Sequence, residues 1–172
     1  MMNLPKWAEN TREERFFTAV LFHALKINAS PFWTKLRDRL IIPSHVTVED
    51  IGYEVCMLRD LAHANLIERV KQLEKQTFDL VLTLSNDSIV IIEAKAHQGY
   101  STKQFNLMKE TSEILLKNKN LGIKQVYIAG LHSSKYTPVS FKDLSFITWF
   151  ELAELYPQMS DQFIRANDIY NN

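Results

Sequence analysis

The chain has 172 residues, 46% of them apolar, and its 20 basic and 20 acidic side chains give a formal charge of zero. That length and apolar content suit one α/β domain with a substantial core, and the charge balance excludes long-range attraction to nucleic acid, so any polyanion must meet a local basic surface. Cys56 is the only cysteine, which excludes an intrachain disulfide and points to a reducing compartment.

Met1-Met2-Asn3-Leu4-Pro5-Lys6 lacks the apolar run of a secretory leader, and no later stretch is long enough to span a membrane. The expectation is a cytoplasmic protein without membrane attachment. Four Gly and five Pro leave no low-complexity linker, and no internal repeat is visible. The five histidines, 23, 45, 63, 97 and 132, show no cysteine partners and no zinc-ligand spacing.

Thr11-Arg12-Glu13-Glu14 reads as a capping box opening a helix through about Ile27, whose stripe Phe16, Phe17, Val20, Leu21, Ala24 and Ile27 faces a core. His23 on that helix is expected to be packed. Pro31 starts a second, short helix. After the break at Ile41-Ile42-Pro43, Val48, Ile51, Val55, Leu58 and Ala62 recur at helical spacing, so a helix is expected from Thr47 to near Asn65, with a strand over 52–58 as its competitor. Residues 30–65 thus form a helical insertion. Leu66–Leu73 reads as a strand, and Cys56 as a buried, inert thiol.

Phe78-Asp79-Leu80-Val81-Leu82-Thr83-Leu84 and Ile89-Val90-Ile91-Ile92-Glu93-Ala94-Lys95 read as two strands joined by turn residues. Pairing Asp79 with Glu93 also pairs Leu84 with Ser88, leaving a loop of Ser85, Asn86 and Asp87. Asn86 or Asp87 then supplies the left-handed residue such loops need. Asp79 opens the first strand while Glu93 and Lys95 close the second, so all three charges meet at one end of the hairpin. The second strand is apolar on both faces before its charges begin, as a central strand covered on both sides would be. Charges at the end of a buried strand are costly unless paired or bound to a metal. The plainer alternative is a solvated edge pair.

Ser101-Thr102-Lys103-Gln104 is a second capping box, opening a helix that turns Phe105, Met108, Thr111 or Ser112, and Leu115 inward and ends at Gly122. Lys124–Gly130 and Phe146–Trp149 read as strands, with Trp149 in the core. Phe150–Tyr156 and Ser160–Tyr170 read as terminal helices separated by Pro157. The order is helix, three-strand meander, helix, strand.

Phe78-Asp79 followed by Glu93-Ala94-Lys95 resembles the motif of the PD-(D/E)XK nucleases, the restriction-endonuclease-like superfamily, with Phe78 in place of the naming proline. The element order is similar to that superfamily's αβββαβ core, here over about residues 11–130 of a single nuclease-like domain. The fold implied is a mixed central sheet flanked by helices, with the helical insertion and C-terminal helices added. The resemblance implies hydrolysis of phosphodiester bonds, in DNA above all, with Mg²⁺ or Mn²⁺. Asp79 and Glu93 would hold the ion with the Ala94 carbonyl, and Lys95 would orient the attacking water and face the charge of the transition state.

Family members also carry a glutamate at the start of the first core helix, which matches Glu14. Glu13 competes for that role, and Glu14 has its own use in the capping box. The glutamine that many members place after Glu-X-Lys matches Gln104, which could equally cap its helix. Lys103 and Lys109 are candidates for phosphate contacts, or for a plain solvated helix face. Trp33 and Tyr100 are open as base-stacking groups, and His97, two residues past Lys95, as a neighbour of the site or an ordinary loop residue. With no accessory DNA-reading module, specificity would come from the insertion, the C-terminus, a homodimer or a partner protein. A non-catalytic nucleic-acid- or partner-binding module is the alternative.

Overall fold

The computed structural model describes residues 11–71, 75–141 and 144–170; the leader reading at Met1–Lys6 lies outside them. Helices α1 (Glu14–Asn28) and α2 (Ser30–Leu40) precede strand β1 (Val48–Val55) and the short helix α3 (Met57–His63). The hairpin β2 (Phe78–Leu84) and β3 (Ser88–Ala94) follows, then α4 (Thr102–Lys117) and β4 (Gln125–His132). Strand β5 (Ser145–Thr148), α5 (Trp149–Leu155) and α6 (Ser160–Asp168) complete the chain.

The five strands form one mixed sheet in the order β1-β2-β3-β4-β5. The first three are antiparallel neighbours, while β3–β4 and β4–β5 are parallel. Each face of the sheet is covered by helices. On one, Leu80, Leu82, Val90, Ile92, Ala129 and Leu131 meet Phe17, Leu21, Phe32, Trp149 and Phe163. On the other, Val81, Ile91 and Val126 meet Met57, Leu58, Met108 and Leu115. β3 lies between β2 and β4 and is buried at every position but Ile89, which explains its near-continuous apolar run. No helix among the described residues is long and apolar enough to cross a membrane.

The helix expected from Thr47 to Asn65 is corrected to strand β1 followed by α3, so the insertion 30–65 is not wholly helical. The reason is a β-bulge. Val48 pairs with Leu84 but Asp50 pairs with Thr83, so one extra residue, Glu49, stands on the β1 side. The bulge puts Val48 and Ile51, three apart, opposite Leu84 and Leu82, two apart, and turns both toward the same core. A bulged strand therefore imitates helical spacing. Tyr53 and the β-branched Val48, Ile51 and Val55 favour the extended form, and Gly52 disfavours a helix interior.

The first meander strand is thus 48–55, and described residues 66–71, expected as a strand, form a loop and turn. The core extends past residue 130, since β5 pairs with β4 and Trp149, Leu152, Phe163 and Ala166 are fully buried. Ile27 is exposed rather than inward, and His23 is exposed rather than packed. Trp33 is buried and donates its indole N–H to the Val46 carbonyl at 2.9 Å, which leaves no free face for stacking. Cys56 is buried beside the Thr77 hydroxyl, as its core-facing segment implied.

Candidate active site at the end of the central strand

The hairpin register follows the expectation. Leu84 pairs with Ser88 and Leu80 with Ile92, and one further step sets Asp79 opposite Glu93. The three-residue loop turns on Asp87, whose φ of 61° is the left-handed residue required. Asp79 Oδ2 accepts the Ala94 backbone N–H at 2.7 Å, so the start of β2 is tied to the end of β3 through the carboxylate itself.

Lys95 follows β3 directly and its backbone is held from two sides. Its N–H donates to the Leu131 carbonyl at 2.7 Å, and its carbonyl accepts the Trp149 indole N–H at 2.9 Å. The side chain is nearly sealed, at 2% exposure. Its ammonium donates to Glu93 Oε1 at 2.7 Å and to Glu14 Oε1 at 3.2 Å.

Glu14 reaches the cluster across the end of the sheet, from the first turn of α1. Its other oxygen accepts the Ala96 backbone N–H at 2.9 Å. This decides between the neighbouring glutamates: Glu13 is the exposed N-cap position, with no side-chain capping bond, and Glu14 points inward. The capping box read at Thr11–Glu14 is corrected accordingly. The Thr11 hydroxyl accepts only the Glu13 N–H, and Glu14 is spent on Lys95 and Ala96.

Gln104 arrives from the first turn of α4, and the capping box read at Ser101–Gln104 is corrected to a one-sided cap. The Gln104 side-chain oxygen accepts the Ser101 hydroxyl at 3.2 Å and makes no bond to the Ser101 backbone N–H. The Gln104 backbone N–H is capped by the Ser101 hydroxyl at 3.1 Å, while its amide donates to Glu93 Oε1 at 2.8 Å. Tyr100, half-buried and packed among Phe141, Phe146, His132 and Tyr136, donates its hydroxyl to the Glu93 carbonyl at 3.4 Å, so it is a packing group rather than a stacking platform. Gly130 lies beside Glu93 in β4, and a Cβ there would run into the Phe146 ring and the Tyr100 hydroxyl.

Three carboxylates, Glu14, Asp79 and Glu93, thus surround one ammonium in a largely buried site. Burial, and then the Glu93 charge, push the Asp79 carboxyl up to about 7, against the pull of the Ala94 N–H and Lys95. Burial also raises Glu93, although Lys95 opposes it. For Lys95 burial works downward, but the Glu93 and Glu14 carboxylates overcome it and hold the ammonium above the ordinary lysine value. The two carboxyls are raised chiefly by burial, with neighbouring carboxylates adding to it, and Lys95 is raised by those same carboxylates. Both carboxyls therefore take up a proton more readily than they would in water.

Among the described residues no group of three or more His, Cys, Asp or Glu side chains stands ready as a metal cage. The Lys95 ammonium stands between Glu93 and Glu14 instead. The donors nonetheless fit a hard divalent cation in kind, being carboxylate oxygens with a surplus of negative charge.

Lys103 and Lys109 are exposed on α4, outside the carboxylate cluster; the Lys109 ammonium lies 4.4 Å from the centre of the Phe105 ring. His97 is half-buried beyond β3, and its Nδ1 is a buried atom without a hydrogen-bond partner. Two contributors escaped the reading of the sequence. Trp149 was read as core alone, and nothing local signals that its N–H is aimed at Lys95. Glu54 in β1 was hidden by the helical reading of its segment. No protein-family model matches the chain, and no curated protein matches it.

Proposed function

We propose that the chain is a metal-dependent nuclease of the PD-(D/E)XK type that hydrolyses phosphodiester bonds in DNA. The observation that carries this reading is convergence: Glu14 from α1, Asp79 from β2, Glu93 and Lys95 from β3 and its continuation, and Gln104 from α4 meet through hydrogen bonds of 2.7–3.2 Å. A solvated edge pair needs no such burial. A purely structural buried ion pair is stabilised by matched charge, and here acids outnumber the base. The mixed sheet with helices on both faces, and the succession α1, β1, β2, β3, α4, β4 once α2 and α3 are counted as additions, support the restriction-endonuclease-like reading of the fold.

Asp79, Glu93, the Ala94 carbonyl and Glu14 are the groups that would hold Mg²⁺ or Mn²⁺. When bound, such an ion sets positive charge against the scissile phosphate and lowers the pKa of a water. The chain's own residues do the rest. The Lys95 ammonium, fixed through its backbone by Leu131 and Trp149, orients the attacking water and faces the charge that develops on phosphate oxygen. Gln104 holds Glu93 in one rotamer through Oε1.

The test is cleavage of supercoiled plasmid and single-stranded circular DNA in Mg²⁺ or Mn²⁺ by the wild type and by Lys95→Ala. Nicking by the wild type alone is the expected result. A second reading, a non-catalytic nucleic-acid- or partner-binding module, is favoured by the fact that Glu93 Oε1 already receives both Lys95 and Gln104. Equal inactivity of both proteins on every substrate would select it.

A further inference from the structure

A buried site with surplus negative charge repels the phosphodiester it is meant to take, and Lys95, at 2% exposure, already gives two of its three N–H donors to Glu93 and Glu14. A protein cation at the rim would meet the phosphate charge beside any bound metal. One stands beside Glu14 on the next residue of α1: the Arg15 side chain is 76% exposed, and its Nε lies 3.6 Å from Glu54 Oε2. That separation is longer than a hydrogen bond. Among the described residues the Arg15 guanidinium donates no hydrogen bond, while its backbone carbonyl is anchored by the Tyr53 hydroxyl at 3.1 Å.

Glu54 belongs to the same end of the sheet. The pairs Tyr53–Leu80 and Val55–Phe78 set it opposite Asp79, which itself stands opposite Glu93, so the three acids form one row across β1, β2 and β3. Its φ of 52° is left-handed backbone that a glutamate adopts at a cost of about 1–2 kcal/mol. Strain of this kind persists where surrounding structure enforces it, and it clusters at functional sites.

We propose that Arg15 is a phosphate-binding residue of this site, held by Glu54 at the mouth and transferring its guanidinium to the backbone of the incoming nucleic acid. The planar fork of a guanidinium matches two phosphate oxygens, which the single long contact to Glu54 does not satisfy. Glu54, with its side chain a quarter exposed, is left solvated when Arg15 moves. The inference rests on the nuclease reading and adds to it the group that receives the substrate's charge.

Fluorescence anisotropy with a short labelled DNA duplex and the matching single strand tests it, with Ca²⁺ in place of Mg²⁺ to block turnover and with salt varied. Arg15→Gln should raise Kd about tenfold at low salt and flatten the log–log salt slope by about 0.9 on the duplex. Arg15→Lys should keep the slope and lose part of the affinity. Glu54→Gln, which frees Arg15, should bind as tightly as wild type or more so; a merely structural pair would instead make both partners' variants equally weak. An unchanged slope in a folded Arg15→Gln protein, or weakening by Glu54→Gln equal to that of Arg15→Gln, overturns the proposal while leaving the nuclease reading in place. Failure of the wild type to bind either DNA overturns the nuclease reading itself.

Discussion

Asp79 carries most of the electrostatic tension in the candidate site. Its carboxyl is pushed from 3.8 to about 7 by burial and by Glu93. A carboxyl whose folded pKa lies above its unfolded value costs stability as it ionises, so the cost grows as pH rises from about 4 to about 7 and is complete above that. Asp79→Asn removes the cost and keeps an oxygen for the Ala94 N–H. In metal-free melts the variant should match wild type near pH 4 and melt several degrees higher at pH 8, at roughly 2–4 °C per kcal/mol for a chain of this size, while DNA cleavage is lost. A variant less stable than wild type at pH 8 would make Asp79 a structural partner. Lys95→Met should act in the opposite sense. It leaves Glu93 and Glu14 facing each other without their ammonium, a loss on the order of 3 kcal/mol. Part of that loss should return at pH 5, where the raised Glu93 carboxyl takes up a proton more readily, and urea melts at pH 5 and pH 8 measure it.

At the scale of elements, the joint between β5 and α5 braces the site from behind. Thr148 and Glu151 form a reciprocal capping box at the start of α5, and Glu151 also binds Arg39 and, at 3.0 Å, Lys35. Trp149, whose indole fixes the Lys95 carbonyl, is the first residue of that helix. Burial works to raise the Glu151 pKa, but the bonds from Arg39, the Thr148 backbone and Lys35 overcome it and hold the carboxyl at about 2. A depressed folded pKa gives stability that is present above the ordinary value of 4.5 and lost as pH falls toward 2. Acid titration should therefore show Glu151→Gln to be less stable than wild type at neutral pH, with the difference closing between pH 4.5 and 2. Strand β4 offers a second handle. Gly130→Ala must displace both the Phe146 ring and the Tyr100 hydroxyl, a cost of about 1–3 kcal/mol readable by urea unfolding.

For the whole molecule the relevant balance is 20 basic against 20 acidic residues. On the proposed nuclease reading, DNA affinity should come from a few local cations and weaken gently with salt. About three to five phosphate contacts give a log–log slope near −3 to −4 on duplex DNA. Reversing the charge of Lys103 and Lys109 together should lower affinity and flatten the slope without changing metal binding. A slope near zero in the wild type would mean that phosphate contacts do not carry the interaction. Divalent metal, in turn, should raise the melting temperature of the wild type. An ion at a hundred times its Kd adds about 2.7 kcal/mol, and Asp79→Asn and Glu93→Gln should lose that increment.

Local chemistry alone determined the hairpin. Two near-continuous apolar runs, a loop with Asp87 to turn left-handed, and charges at the far ends placed Asp79 against Glu93, because a three-residue turn fixes the register and that register brings the charges together at the open end. The α4 segment was equally legible, since Ser101 caps Gln104 within one turn. Only tertiary structure decided β1, where one bulged residue turned a strand's period into a helix's, and with it the place of Glu54. It also decided the choice between Glu13 and Glu14. Both precede the same apolar stripe, and the selection came from Lys95 and the Ala96 N–H, 81 and 82 residues away. Capping is a contest among groups a few residues apart, and so it can be read along the chain. The fate of a carboxylate that leaves that contest for a distant ammonium depends on how the sheet end and the helix start are brought together.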